Sequence, residues 1–156
     1  MFTLMTKKSA FEIAQWTYPD IYSCYSFDGS SEIITELMNG EYFVDFDNEN
    51  KIIGFICIGK SAQIPTLEKE IYIDETALDI GLGLNPALCG NGLGSKFLTD
   101  CISFVKQKFN ASNYRLTVAS FNQRAIKVYE RIGFKYSMSV HHAISKHVFY
   151  IMLYTT

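Results

Sequence analysis

The spacing of apolar residues in the second half of the chain predicts two amphipathic helices. In the longer helix they recur at intervals of three and four positions, the period of a helix face: Leu93, Phe97, Leu98, Cys101, Ile102, Val105 and Phe109. Asn122 is suited to cap the second helix, and Gly133 is suited to end it. Two shorter helices are predicted earlier in the chain, over residues 9–16 and 30–38.

Apolar runs separated by turn residues predict the strands. The predicted strands cover residues 2–5, 42–46, 52–58, 76–84, 114–119, 134–140 and 147–154. Residues 47–50 are rich in turn formers, so the second and third strands are expected to form a hairpin. Residues 60–75 have mixed polarity and predict a long loop. Elements in this order predict an α/β (α+β) fold, with a mixed sheet flanked by helices.

Composition narrows the class of protein. The 156 residues are 48% hydrophobic and 19% charged, a globular balance that fits one domain over residues 1–156. The formal net charge of −2 offers no basic face for nucleic acid, and no apolar run reaches the ~18 residues of a membrane span. The four cysteines form no CxxC pair, so we expect free thiols, no metal site and a cytoplasmic location.

The most informative segment connects a predicted strand to the long helix. The strand stops at Asn85-Pro86, and the loop Cys89-Gly90-Asn91-Gly92-Leu93-Gly94 follows with three alternating glycines. Glycine permits positive φ and close backbone approach, so several N–H groups can converge on one point, and the positive end of the helix dipole adds to them. The loop is therefore predicted to bind a phosphate or pyrophosphate. A strand-to-helix turn without a ligand is the alternative.

The spacing of these glycines argues against two common nucleotide sites. Gly-x-Gly-x-Gly departs from the dinucleotide fingerprint Gly-x-Gly-x-x-Gly. The Walker pattern does not fit Gly94-Ser95-Lys96 either, because no glycine lies five positions before Gly94. A different phosphate ligand is therefore favoured.

The loop resembles the acetyl-CoA signature of the GNAT (Gcn5-related N-acetyltransferase) superfamily, Arg/Gln-x-x-Gly-x-Gly/Ala, with Cys89 in place of the first residue. Residues 122–134 are similar to a second motif of that family, Asn-x-x-Ala-x-x-x-Tyr-x-x-x-Gly-Phe. The resemblance covers residues 76–135. It implies a GNAT-like mixed, mostly antiparallel central sheet with helices on both faces.

The resemblance also implies a reaction, in which a primary amine attacks the thioester of acetyl-CoA directly to give an amide and CoA. In the family, main-chain N–H groups of the strand before the loop bind the thioester oxygen, and Leu84 is the candidate here. Tyr129 matches the tyrosine that protonates the departing thiolate. The residues expected to bind acetyl-CoA are Leu82, Gly83, Leu84, Cys89, Gly90, Asn91, Gly92, Leu93, Gly94, Ser95, Asn122, Ala125 and Tyr129.

Asp79 is the candidate general base. It alternates onto the same side of the strand as Gly81 and Gly83, where many members of the family carry a carboxylate. A hydrogen bond or salt bridge is the alternative role for Asp79. Other residues also have alternative roles. Gly81 and Gly83 could relieve packing, Tyr129 could be a core residue, and Asn122 could cap the helix.

The amine acceptor is expected to lie against the amino-terminal helices and the loop of residues 60–75. Aromatic residues there would form a wall or, alternatively, core: Trp16, Tyr18, Tyr22 and Tyr25. The nearby acids would suit a cationic amine or simply be solvated: Asp20, Asp28, Asp74 and Glu75. The expected partner is a small-molecule amine or a peptide amine, bound by a monomer or homodimer. A non-catalytic acyl-CoA-binding module and another nucleotide-binding enzyme are the rival functions.

Overall fold

The computed structural model describes every residue from Met1 to Thr156. The chain forms two compact units, Met1–Cys57 with Leu82–Leu93 and Ile58–Gly81 with Gly94–Thr156. One domain over residues 1–156 stays a prediction. None of the helices combines the length and the apolar character that a membrane span needs.

The first unit is built from short elements whose ends are fixed by side chains. In chain order they are β1 (Phe2–Leu4), α1 (Lys7–Ile13), α2 (Ser31–Leu37), β2 (Tyr42–Phe46) and β3 (Ile52–Ile58). The side chains of Thr6 and Ser30 accept hydrogen bonds from backbone N–H groups in the first turns of α1 and α2. Asp47 accepts from two N–H groups of the turn between β2 and β3, which explains the predicted hairpin.

Phe55 is the centre of the aromatic core of this unit. The ring centroids of Trp16, Phe27 and Tyr42 lie 6.1, 6.0 and 5.8 Å from that of Phe55. Trp16 is 7% exposed and therefore belongs to the core. For this residue the structure agrees with the second of the two predicted alternatives, a core position rather than a wall beside the acceptor.

The second unit contains the two long helices. Its elements are α3 (Gly94–Phe109), β5 (Asn113–Ala119), α4 (Gln123–Ile132), β6 (Lys135–His141) and β7 (Val148–Thr155), together with the first residues of β4 (Leu78–Leu84). Strand β7 pairs antiparallel with both β5 and β6, and β4 pairs parallel with β5 at Leu78 and Asp79. Asn122 caps α4, and Gly133 ends it at φ 125°, so both predicted helix boundaries are confirmed.

The seven strands have the order β1-β2-β3-β4-β5-β7-β6. Because only β4 and β5 are recorded as a parallel pair, the predicted mixed, mostly antiparallel sheet is confirmed. The bounds predicted for β2 and β3 are also confirmed.

The segment after Pro19, Asp20–Tyr25, is a 3-10 helix. Two local predictions differ from the structure. The first helix begins two residues and ends three residues before its predicted bounds, and Thr6 caps its start. Strand β4 begins at Leu78 instead of residue 76, because Asp74 accepts hydrogen bonds from the backbone and hydroxyl of Thr76 and holds a turn there.

The predicted loop of residues 60–75 is held to the end of β6. Leu67 N donates to the carbonyl of His141, and Thr66 forms an isolated bridge with His142. The Glu68 carboxylate accepts from the backbone N–H of His141 at 2.8 Å and contacts its Nδ1 at 2.6 Å. These contacts attach the loop to the end of β6.

Candidate functional site

The glycine loop leaves β4 and leads directly into α3. Gly90 has φ 79° and Gly92 has φ 75°, so both occupy the left-handed region that favours glycine. A Cβ placed on Gly92 would meet no atom within 4 Å. The loop is therefore exposed and open at Gly92, and its backbone has the conformation predicted from the sequence.

Main-chain donors are available along this loop. No hydrogen bond within the chain is recorded for the N–H groups of Gly90, Gly92 or Leu93. Helix α3 has 16 residues, with no acidic residue in its first turn to oppose an anion. These features fit a phosphate or pyrophosphate bound by backbone N–H groups.

Gly94 has a different role from the other two loop glycines. Its φ is not positive, and a Cβ on it would lie 3.3 Å from Cγ2 of Val128 in α4. The missing side chain lets the amino-terminal end of α3 pack closely against α4. Ser95 and Lys96 follow in the first turn of α3, and Lys96 Nζ pairs with Asp100 at 2.6 Å.

The last peptide of β4 is held at both of its polar groups. Asn85 N donates to Ile53 O at 2.8 Å, and the Tyr18 hydroxyl donates to Leu84 O at 2.7 Å. Since backbone groups alternate between the two edges of a strand, the N–H and C=O of Leu84 point away from β3. The amide predicted to bind a thioester oxygen therefore lies on the edge of β4 opposite β3.

Gly83 is packed rather than open. A Cβ on Gly83 would lie 2.1 Å from Cε1 of Phe55, far inside van der Waals contact. This agrees with the alternative that the glycine relieves packing. Leu82 and Leu84, its neighbours on β4, are partly exposed.

Asp79 lies in a buried ion pair. Its two carboxylate oxygens accept from Arg115 Nε at 2.6 Å and Arg115 Nη2 at 2.8 Å, and Gln63 Nε2 donates to Oδ2 at 2.9 Å. Arg115 also lies 5.3 Å from the ring centroid of Tyr72, whose hydroxyl bonds to Thr117. The hydrogen bond to Asp79 raises the pKa of Arg115. Asp79 therefore forms a salt bridge, which was the alternative role predicted for it.

The remaining predicted site residues lie on α4. Asn122 Oδ1 accepts from Ala125 N at 3.2 Å, so its capping role is confirmed. Tyr129 is partly exposed, and its ring is tilted against Phe134 at 6.0 Å between centroids. Roles for Asn122, Ala125 and Tyr129 toward a cofactor stay predictions.

Cys89, which replaces the first residue of the family signature, turns back toward β4. Its Sγ lies 3.8 Å from Leu84 O and 3.6 Å from Asn85 O. None of the four cysteines forms a disulfide: Cys24, Cys57, Cys89 and Cys101.

The structure thus groups the predicted residues in two sets. The loop from Cys89 to Leu93 and the end of β4 belong to the first unit, whereas Asp79, Gly94 and the α4 residues belong to the second. Two contacts to these residues were not predicted. The hydroxyl of Tyr18 donates to Leu84 O, and the guanidinium of Arg115 donates to Asp79. An arginine inside the apolar run of β5 was the one available signal, since a buried arginine requires a partner.

Similarity to known proteins agrees with this architecture. Residues 8–134 match the model of the Acetyltransferase (GNAT) family. No curated protein matches the chain in sequence.

Solved structures share the fold over nearly the whole chain. An acetyltransferase of the GNAT family from Bacillus anthracis has a TM-score of 0.74 at 16% identity, covering 99% of this chain and 93% of that one. A chimera of spermidine N-acetyltransferase SpeG from Vibrio cholerae and hSSAT has a TM-score of 0.69 at 16% identity, with coverages of 99% and 94%. Mutant forms of the spermidine/spermine N-acetyltransferase SpeG from Vibrio cholerae have a TM-score of 0.70 at 15% identity, covering 99% of this chain and 93% of that one.

The family match spans most of the chain, and the fold, the loop conformation and the order of the two motifs agree with it. This chain belongs to the acetyltransferase (GNAT) family.

Proposed function

We propose that this protein is an N-acetyltransferase that transfers the acetyl group of acetyl-CoA by direct attack of an amine of a small molecule or peptide. The observation that carries the proposal is the loop after β4, where Gly90 and Gly92 adopt left-handed φ and present unpaired N–H groups before a 16-residue helix. Membership of the acetyltransferase family supports it.

Acetyl-CoA supplies an activated acyl thioester. The N–H groups of Gly90 and Gly92 would bind its pyrophosphate, and the N–H of Leu84 would bind the thioester oxygen, where negative charge develops during attack. The hydroxyl of Tyr129 would donate a proton to the departing thiolate. Positioning and electrostatic stabilisation supply the catalysis in this scheme, and no covalent enzyme intermediate is needed.

Asp79 enters the proposal as a structural residue, in the ion pair with Arg115, instead of a base. Its Oδ1 accepts from Arg115 Nε at 2.6 Å, and its Oδ2 accepts from Arg115 Nη2 at 2.8 Å and Gln63 Nε2 at 2.9 Å, so these donors already occupy the carboxylate oxygens. Its buried position, with 6% of the residue exposed, also limits direct access. In this scheme the proton lost by the attacking nitrogen would pass to solvent water, and solvent would re-protonate the Tyr129 hydroxyl.

Calorimetric titration with acetyl-CoA tests the proposal, with NAD and ATP as competing ligands. We expect selective binding of acetyl-CoA, followed by release of CoA thiol when an amine is added. A panel of small amines and peptide amines then identifies the acceptor; spermidine, named in two of the similar structures, is included. Preference for NAD or ATP would refute the proposal. Tight binding of acetyl-CoA without thiol release across the panel would favour a non-catalytic acyl-CoA-binding module.

A pair of glycine variants tests the location of the pyrophosphate. Gly92→Glu adds bulk and a negative charge where the loop is open, so we expect acetyl-CoA affinity to fall at least about ten-fold, or about 1.4 kcal/mol. Gly40→Glu is the matched control, because Gly40 also has a left-handed φ, of 92°, and no atom within 4 Å of its Cβ position. Gly40→Glu therefore introduces a similar backbone strain at a position outside the loop. Equal affinities in the two variants would show that the pyrophosphate binds elsewhere.

A further inference from the structure

The hydroxyl of Tyr18 makes a short contact with the end of β4. It donates to the carbonyl of Leu84 at 2.7 Å, across 66 positions of sequence. Burial raises the pKa of this phenol, and the nearby Cys89 thiol raises it further. The Tyr18 hydroxyl consequently keeps its proton at every pH at which the protein would be assayed, and it can donate to Leu84 O throughout.

The position of Tyr18 itself is fixed by its surroundings. Its backbone N–H donates to Ser26 Oγ at 2.7 Å. Pro19 follows with an extended backbone, at φ −80° and ψ 163°, immediately before the 3-10 helix. The side chain therefore reaches Leu84 from a segment with little freedom to shift.

Leu84 O has one strong donor and one weak one. The Cys89 thiol is 3.8 Å away, which is long even for sulfur, whereas the phenol is at an ideal O···O distance. On the other edge of the strand, Asn85 N donates to Ile53 O and Asn85 Nδ2 donates to Ile52 O at 2.9 Å. Removing the phenol would leave this end of β4 held by its hydrogen bonds to β3 and by the weak contact of Cys89 Sγ.

We propose that Tyr18 is a positioning residue for acetyl transfer, because its hydroxyl holds the last carbonyl of β4 and thereby fixes the direction of the adjacent Leu84 N–H. The inference rests on the proposed function, in which that N–H binds the thioester oxygen. The C=O and N–H of Leu84 lie on the same edge of the strand, in two peptide planes that meet at the Leu84 Cα. The phenol therefore acts on the N–H by fixing the position of Leu84, and a displacement of this residue would move both groups. A bonded carbonyl is also kept from competing for the polar groups of an incoming ligand.

The test compares Tyr18→Phe with Tyr42→Phe. Tyr42 is a control in the same unit, since its buried phenol also makes a hydrogen bond, in this case to the side chain of Glu36 at 3.3 Å. The first readout is the infrared carbonyl band of acetyl-CoA labelled with carbon-13 at the acetyl carbonyl. Binding to the unaltered protein and to Tyr42→Phe is expected to move this band to lower frequency. The movement should be largely lost in Tyr18→Phe.

The second readout separates binding from turnover. We expect kcat for thiol release to fall about ten-fold in Tyr18→Phe, because misaiming an oxyanion donor costs less than the 100-fold or more of deleting one. The KM for acetyl-CoA should change less than about two-fold, since the pyrophosphate contacts are intact. Incorporation of 3-fluorotyrosine at position 18 restores the donor and should restore the band.

The outcomes distinguish the two proposals. If the unaltered protein binds acetyl-CoA and releases thiol while Tyr18→Phe behaves like Tyr42→Phe in both readouts, the role of Tyr18 is refuted and the proposed function stands. If the unaltered protein binds no acetyl-CoA, both are refuted. Should Tyr18→Phe fail to fold, a series of tyrosines at position 18 with increasing ring fluorination decides, because each added fluorine makes the hydroxyl a stronger donor. We expect the carbonyl band to move along the series, and an unchanged band would overturn the role of Tyr18.

Discussion

Replacing Asp79 with asparagine removes one charge from the buried pair that joins β4 to β5. Asp79 is 6% exposed and Arg115 is 4% exposed, and two hydrogen bonds of 2.6 and 2.8 Å connect them. The variant leaves the guanidinium in place without a counter-ion. It also weakens the bond from Gln63, whose amide donates to the same carboxylate at 2.9 Å.

The expected loss of stability is large because the remaining charge stays buried. Removing one partner of a buried pair typically costs about 3–5 kcal/mol. Asparagine keeps one acceptor for Arg115, and the ring of Tyr72 lies 5.3 Å from the guanidinium carbon, so we place the cost at the lower end, about 3 kcal/mol. An exposed pair would contribute about 0–1 kcal/mol, so the two cases are well separated.

Urea denaturation followed by circular dichroism measures this loss. With a slope of about 2 kcal/mol per molar urea, a loss of 3 kcal/mol lowers the midpoint by about 1.5 M. Glu49→Gln is the control, since its pair with Lys51 is exposed, with side chains 76% and 75% accessible. We expect that control to shift the midpoint by less than about 0.25 M, equivalent to about 0.5 kcal/mol.

A paired substitution tests the cause. Asp79→Leu combined with Arg115→Met removes both charges and should be more stable than Asp79→Asn, because the uncompensated guanidinium is gone. If Asp79→Asn kept the original midpoint but lost thiol release 100-fold or more, Asp79 would be acting as a base and the structural role would be wrong.

Three further predictions address other parts of the chain. Gly83→Ala should lower stability by about 1–3 kcal/mol in thermal unfolding, because its Cβ would lie 2.1 Å from the ring of Phe55; unchanged stability would contradict the packing role. Hydrogen bonds from His141 lower the pKa of Glu68, so the stabilisation they give is present above the ordinary carboxyl pKa and lost as pH falls through the lower folded value. The backbone NMR signals of His141 should therefore shift as the pH falls below the ordinary carboxyl pKa, and Glu68→Gln should abolish that shift. Tyr129→Phe should reduce kcat for thiol release with little change in the KM for acetyl-CoA, and full turnover across pH would exclude the acid role.

The sequence predicted elements best where local patterns determine them. The hairpin of β2 and β3 and the bounds of α4 follow from turn residues and from caps that are local side-chain contacts, such as Asn122 with Ala125. The left-handed glycines of the loop were predictable for the same reason, because their conformation depends on residue type.

The partners of the site residues were harder to predict because they come from distant parts of the chain. Asp79 and Arg115 are separated by 36 positions, and their contact depends on the parallel register of β4 with β5. Tyr18 and Leu84 are separated by 66 positions. A strand pattern indicates that a residue is buried on one face, but it contains no information on which side chain of another element lies there.

These long-range contacts share a physical logic. Side chains position the main chain, and the main chain then presents the polar groups suited to bind a ligand. Tyr18 holds the carbonyl of Leu84, and glycines free the N–H groups of the loop. Cys89 fits the same scheme, because its sulfur turns toward the carbonyls of Leu84 and Asn85 and leaves the loop donors unaltered. If the loop binds the pyrophosphate through backbone N–H groups, as proposed, its function would depend little on the residue that precedes its first glycine, and cysteine could stand where the family signature has arginine or glutamine.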